Sequence, residues 1–315
     1  DALGRMKVWA DTNDQFLIYK INNGAHNNLP DFVFKTSAEM LDLIAELDTD
    51  GPEDHPLTGQ TVYFDGIAKR VISHHSLGLW LFHPVLKGMV RLASMDVSTE
   101  SALNIELFFN ILNEALQERL QRTGYKFNPR TLMCDELAGN HLAMKRVFGE
   151  AFATQRVISC QWHYLQDARR KSKVLPSEIR EQFLRECNAA VHSVTIEDYS
   201  KYVEFMENII SMLPHMESWV NWWHARRSHI FPPFRGMGYS GVNLAEMGNS
   251  SWKRPKPISL VQACRDDSAT MVQQVEEMSL IFDTQEARPK GRGPDMKKTE
   301  KKRSCLLYTS DAADD

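Results

Sequence analysis

Pro129–Lys171 reads PRTLMCDELAGNHLAMKRVFGEAFATQRVISCQWHYLQDARRK, and the rest of the chain can be ordered around it. Thr131 to Cys134 is a short apolar, β-prone run that ends on adjacent carboxylates, Asp135 and Glu136. A helical pattern follows, and a second run, Val157 to Cys160, leads into Cys160-Gln161-Trp162-His163. An ionised carboxylate at the end of a buried strand costs on the order of several kcal/mol unless a cation or hydrogen-bond donors compensate it. Asp135 therefore reads as a metal or catalytic position, and the remaining sequence can be searched for its partners.

Upstream, Thr61-Val62-Tyr63-Phe64-Asp65-Gly66 is another β-prone run ending on an acid. Strand candidates at Gly78 to Leu86 and Met89 to Val97 follow it, and then a helix from Ser101 to about Arg122 whose apolar positions are Leu103, Leu107 or Phe108, Ile111 or Leu112, and Leu116. With the two later strands the order is β-β-β-α-β-α-β-α. This predicts an α/β fold, a mixed sheet flanked by helices and not a purely parallel doubly wound one. In such a sheet the first and fourth strands can be neighbours, which would bring Asp65 beside Asp135.

Downstream, three stretches have three-to-four periodicity and no strand alternation. Ile179, Phe183, Cys187 and Val191 mark one, Tyr199, Val203, Met206 and Ile210 the next, after a Thr195-to-Asp198 cap, and Trp219, Trp222 and Trp223 lie in the third. Residues 164–235 are expected to form an all-helical insertion, its Trp cluster serving as core. Residues 236–256 then return a last helix carrying Glu246, which Pro255 and Pro257 should stop. Residues 1–59 read as an N-terminal accessory segment, with a helix at Ser37 to Leu47 and a Gly/Pro/Asp-rich linker at Asp48 to Gly59. Residues 257–304 read as an amphipathic helix and a basic tail. Cys305 to Asp315, CLLYTSDAADD, resembles translated adapter sequence and is set aside, and both ends are expected to be incomplete.

Composition narrows the function. At 315 residues and 43% hydrophobic, the chain can bury a sizeable core, and its five scattered cysteines do not form a disulfide framework. No run approaches the roughly 18 apolar residues of a membrane span. The net charge of −4 conceals an asymmetry: residues 1–60 carry 4 Lys/Arg against 11 Asp/Glu, while residues 121–256 carry 19 against 13. The second region is the candidate for polyanion contact, although a solvated helical surface gives the same imbalance.

Taken as a set, FDGIAKRV around Asp65, LMCDELAGNHLAMKRVFGE around Asp135, the Cys160-x-x-His163 pair and NLAEMGNSSWK around Glu246 resemble the Mutator-like (MULE) transposases over about residues 60–256. The resemblance implies a ribonuclease H-like domain (first part 60–163) interrupted by a helical insertion before the Glu, with Asp65, Asp135 and Glu246 as the DDE triad. Two divalent ions, Mg²⁺ or Mn²⁺, would be the cofactors, which suits hard carboxylate oxygens. It further implies DNA as partner, a homo-oligomer and a nuclear location, with Lys253 and Arg254 as DNA contacts. No N-terminal DNA-binding module or zinc element of that family is legible. Cys160 and His163 have metal-ligand spacing but lack two ligands, with Cys134 and His141 a weak offer, so packing or hydrogen bonding is the plainer role. A transposase-derived DNA-binding or regulatory protein and a different ribonuclease H-like nuclease stay open beside the transposase.

Overall fold

A computed structural model describes residues 18–22, 30–51, 57–84, 86–136, 138–235, 244 and 256–284, with side chains to residue 279. Seven strands, β1 (Ile18–Asn22), β2 (Phe32–Lys35), β3 (Thr61–Val71), β4 (His74–His83), β5 (Gly88–Val97), β6 (Thr131–Cys134) and β7 (Val157–Ser159), form one mixed sheet in the order β1-β2-β5-β4-β3-β6-β7. The pairs β3–β4 and β4–β5 are antiparallel, whereas β3–β6 and β6–β7 are parallel. The first and fourth strands of the expected series are thus neighbours, with Thr61, Val62 and Tyr63 opposite Thr131, Leu132 and Met133.

One face of the sheet is closed by α1 (Ala38–Glu46), α2 (Ala102–Leu120) and α3 (Ala138–Phe148). Ser37 and Ser101 cap the first two by accepting hydrogen bonds from the Met40 and Asn104 amides, each satisfying a backbone donor the first turn leaves open. On α2 the buried face runs through Ile105, Phe108, Phe109, Leu112 and Leu116, a helical spacing that lays two aromatic rings against Phe34 and Phe64. Leu103, counted with this face from its spacing, is 58% exposed, because the face begins with Asn104 and Ile105.

The lead-in to residue 59 is not separate from the sheet. Its β2 pairs with β5, and Met40, Leu41, Leu43 and Ile44 belong to the main core, so this acidic segment covers an edge that would otherwise be open.

From α5 (Gln161–Ser172) the chain is helical. α4 (Glu150–Gln155) precedes β7, and α6 (Ser177–His192), α7 (Ile196–Met212), α8 (Glu217–Ala225) and α9 (Arg227–Ile230) follow α5 without a strand between 161 and 235. This block has its own core, in which Phe183, Cys187, Val191, Tyr199 and Met206 pack with Trp219 and Trp223. Both indole N–H groups donate to Asp167, which satisfies them inside the block, while Trp222 faces outward.

On the other face of the sheet, α10 (Leu260–Thr284) is the amphipathic stretch expected near the C-terminus. Ile258, just before it, bonds to the backbone of Arg70 and Ile72 at the far end of β3. The basic tail expected to follow it lies outside the described residues, which end at Thr284.

Candidate functional site: carboxylates at the end of the parallel strands

Alternation along strands decides which side chains share a face. Trp80, Tyr63, Met133 and Ile158 are cross-strand neighbours and form one buried row on the face away from α2. Two positions further on, the next row brings Gly78 and Asp65, still paired across β4 and β3, with Asp135 and Cys160 one residue past the ends of β6 and β7. The row's carboxylates therefore follow from register alone. Asp65 does not end its strand, as had been expected. β3 continues to Val71 because β4 remains its partner, whereas β6 stops at Cys134, so Asp65 sits where the parallel pairing runs out. The backbone N–H of Gly66 donates to Asp65 Oδ1 at 2.8 Å.

A third acid joins them. A Cβ placed on Gly66 would lie 2.7 Å from the carboxylate of Glu100, so the glycine leaves the space that Glu100 fills beside Asp65. Burial pushes the Glu100 carboxyl above its usual range, and the negative charge of Asp135 pushes it the same way. Glu100 gave no signal in the sequence, since it stands in the short connection between β5 and α2 without a motif. Only the return of that connection over β3 brings it to the row.

Asp135 also faces a cation. His163, in the first turn of α5, places Nδ1 2.8 Å from Asp135 Oδ1. Burial alone would lower its pKa, but hydrogen bonds to Asp135 and Cys160 outweigh that and raise it to about 10. The oxygen, sulfur and nitrogen donors of Asp135, Cys160 and His163 all lie within 4.8 Å of one another. Cys134, by contrast, belongs to the main core on the opposite face, and His141 is bound elsewhere. The weak offer of those two as partners for Cys160 and His163 is not taken up.

Glu136, adjacent to Asp135, turns to the other side. Its carboxylate accepts from Arg226 Nε at 2.8 Å and from the Ser159 hydroxyl, and lies 3.2 Å from His141 Nε2. Burial would raise its pKa, but His141, then the Ser159 hydroxyl and the charge of His229, hold it below the usual carboxylate range. The Arg226 guanidinium in turn lies 3.4 Å from the centre of the Trp222 ring. A cavity of about 380 Å³ opens here between α3 and the end of α8, lined in part by Glu136, His141, Lys145, Arg226 and His229. The sequence showed Glu136 as a second acid but not that it would anchor the helical block.

Glu246, Lys253 and Arg254 lie outside the described residues. Leu244 packs against the row of Tyr63, Trp80, Met133 and Ile158, immediately beside the row that carries the two aspartates. Carboxylate oxygens such as those of Asp65, Asp135 and Glu100 are the donor type a hard divalent ion takes, whereas the group of donors that lie within 4.8 Å of one another among the described residues is Asp135, Cys160 and His163. Among the described residues no helix is long and apolar enough to cross a membrane. Compared with known proteins, the chain matches no family model and no curated protein.

Proposed function

We propose that the chain is the catalytic domain of a DNA transposase of the Mutator-like kind, with a ribonuclease H-like core that cuts a phosphodiester at a transposon end and joins the freed 3′-hydroxyl to target DNA. The observation that supports this reading is the parallel pairing of β3 with β6, whose register ends at Tyr63 opposite Met133, two residues before Asp65 and two before Asp135. A meander of three antiparallel strands followed by two parallel ones, with the first acid on the central strand, is the scaffold such a core requires. The helical block between β7 and Leu244 supports the interrupted arrangement that the resemblance implies.

Asp65 and Asp135 would hold the metal, with Glu246 as the third member. Bound Mg²⁺ or Mn²⁺ ions would supply activation of the attacking oxygen and stabilisation of charge on the leaving oxygen. The protein's own part is positional: the strands fix the acids, the Gly66 amide orients Asp65, and Glu100 adds negative charge that strengthens cation capture. The excess of cations in 121–256, including Lys253 and Arg254, would hold the DNA backbone, and the reaction at two ends suits a homo-oligomer in the nucleus.

The test is Mg²⁺-dependent nicking and strand transfer on DNA with inverted-repeat ends taken from the flanking genomic sequence. Wild-type protein should cut, and Asp65→Ala, Asp135→Ala and Glu246→Ala should each remove cutting while DNA binding persists. Binding without cutting by wild-type protein would overturn the enzyme reading in favour of a transposase-derived DNA-binding protein.

A further inference from the structure

Cys160 and His163 are not needed to explain two hard ions on carboxylates, yet they close around one of those carboxylates. Cys160 is the residue before α5 and His163 lies in its first turn, a separation of three that puts both on one side of the helix start. Cys160 is fully buried and His163 about a quarter exposed, so the pair reaches from the interior to the edge of the site.

From these donors we infer that Asp135, Cys160 and His163 form a binding site for one transition ion of the zinc class, with a fourth position left for water. The argument is chemical. Sulfur, imidazole nitrogen and carboxylate oxygen are the ligands of Zn²⁺, whereas Mg²⁺ prefers oxygen alone and gives up its water reluctantly. It is also geometric, because bond lengths of about 2.0–2.3 Å put the donors of a tetrahedral ion roughly 3.3–3.7 Å apart. The three donors here lie within 4.8 Å of one another, so small side-chain rotations close the set. On binding, the Cys160 thiol proton and any proton on the coordinating His163 nitrogen leave to solvent, and no other reactant is required. Three protein ligands and one open position make this a site of the exchangeable kind, not a closed structural one. The site shares Asp135 with the carboxylate centre proposed above but depends on neither DNA nor catalysis.

Purified full chain, stripped with a chelator and titrated with Co²⁺, tests it. One ion per chain should bind through sulfur, read by a thiolate-to-cobalt charge-transfer band in the near ultraviolet and visible bands of tetrahedral intensity, and Zn²⁺ should displace it. Cys160→Ser should abolish the charge-transfer band, while Cys134→Ser, which alters a thiol on the opposite face, should retain it. His163→Gln changes a partly exposed side chain and should weaken Co²⁺ binding by more than about 100-fold, beyond the 10–100-fold carried by outer-shell partners. If Cys160→Ser does not fold, His163→Gln decides alone. The inference is overturned if wild-type protein shows no thiolate band, or if His163→Gln binds Co²⁺ as wild type does. Mg²⁺-supported cutting without Co²⁺ binding removes this site and leaves the transposase reading intact; Co²⁺ binding without cutting does the reverse.

Discussion

Asp267 is the side chain on which the C-terminal helix depends, and its replacement by Asn gives a demanding test of the fold. Between α10 and the sheet lie five fully buried charges: Lys35 on β2, Arg70 on β3, Arg91 and Asp96 on β5, and Asp267 on α10. The Asp267 carboxylate is bonded to Lys35, Arg70 and Arg91 together, with Arg70 gripping both of its oxygens. Asp96 takes Lys35 Nζ at 2.5 Å and the Ser76 hydroxyl at 2.5 Å. Three cations against two anions leave the cluster one positive charge in excess. Burial accordingly pushes the Arg91 guanidinium below its usual range despite Asp267, and Arg70 adds to the push.

Asp267→Asn keeps the shape and deletes the charge, so one anion would face three buried cations. Breaking a buried pair by removing one partner costs about 3–5 kcal/mol, and three cations lose their shared partner here. With about 2–4 °C lost per kcal/mol in larger domains, the thermal midpoint should fall by roughly 6–20 °C. Chemical denaturation at neutral pH, followed by the burial-sensitive Trp80 that stacks with Arg91, measures the change. The sign with pH is also fixed. Burial would raise the Asp267 carboxyl, but Lys35, Arg91 and Arg70 hold it well below the ordinary range, so its contribution is complete above the unfolded value near 3.9 and drains away only in stronger acid. The wild-type advantage over Asp267→Asn should therefore be flat from about pH 5 to 8 and shrink below about pH 4. A loss under 1 kcal/mol at neutral pH would refute the claim that these ion pairs fasten α10 to the sheet.

Three further outcomes are expected. Glu100→Gln should stabilise the metal-free protein more at pH 8 than at pH 4, because a carboxyl raised by burial and by Asp135 opposes folding once its unfolded form is ionised; thermal melts at the two pH values measure the difference. The His163 imidazolium, its pKa raised to about 10, contributes fully below about pH 6.5 and progressively less up to pH 10, so the stability gap between wild type and His163→Gln should narrow over that window, with the ring titration visible by NMR. Asp167→Ala leaves the indole N–H groups of Trp219 and Trp223 without their acceptor and should cost the helical block about 1–3 kcal/mol in urea unfolding.

What the sequence made legible was local and periodic. Thr131–Cys134 stands out because an apolar run four residues long is bounded by Pro129 and by two acids, and β6 has those bounds. The helices of the block are legible because each carries its apolar residues at three and four, and Ser101 and Thr195 mark two helix starts with side chains that cap them. The side-by-side placement of β3 and β6 needed only the element order. What could not be read depends on contacts between remote segments. The joining of β2 to β5 left no mark in an acidic segment, and Glu100 lacks any neighbour in sequence that hints at Gly66. Lys35, Arg70 and Asp267 look like surface charges one at a time, since a cluster buried by mutual neutralisation has no signature in hydropathy.

The adjacent acids Asp135 and Glu136 explain how the helical block and the carboxylate row are held in one register. Alternation at the end of β6 sends Asp135 to the face of Asp65 and Glu136 to the face of Ser159. Glu136 is then bonded from the end of α8 through Arg226, while His229 on α9 bonds the Val157 carbonyl and packs its ring 4.5 Å from that of His141. On the opposite side His163, at the start of the block, meets Asp135. The block thus grips both side chains of a single dipeptide, Asp135 from its first helix and Glu136 through Arg226 just after α8. A shift of the block would move Asp135 through the same peptide that carries Glu136. Loss of the Arg226 contact should accordingly be felt at Asp135, although Arg226 touches only its neighbour.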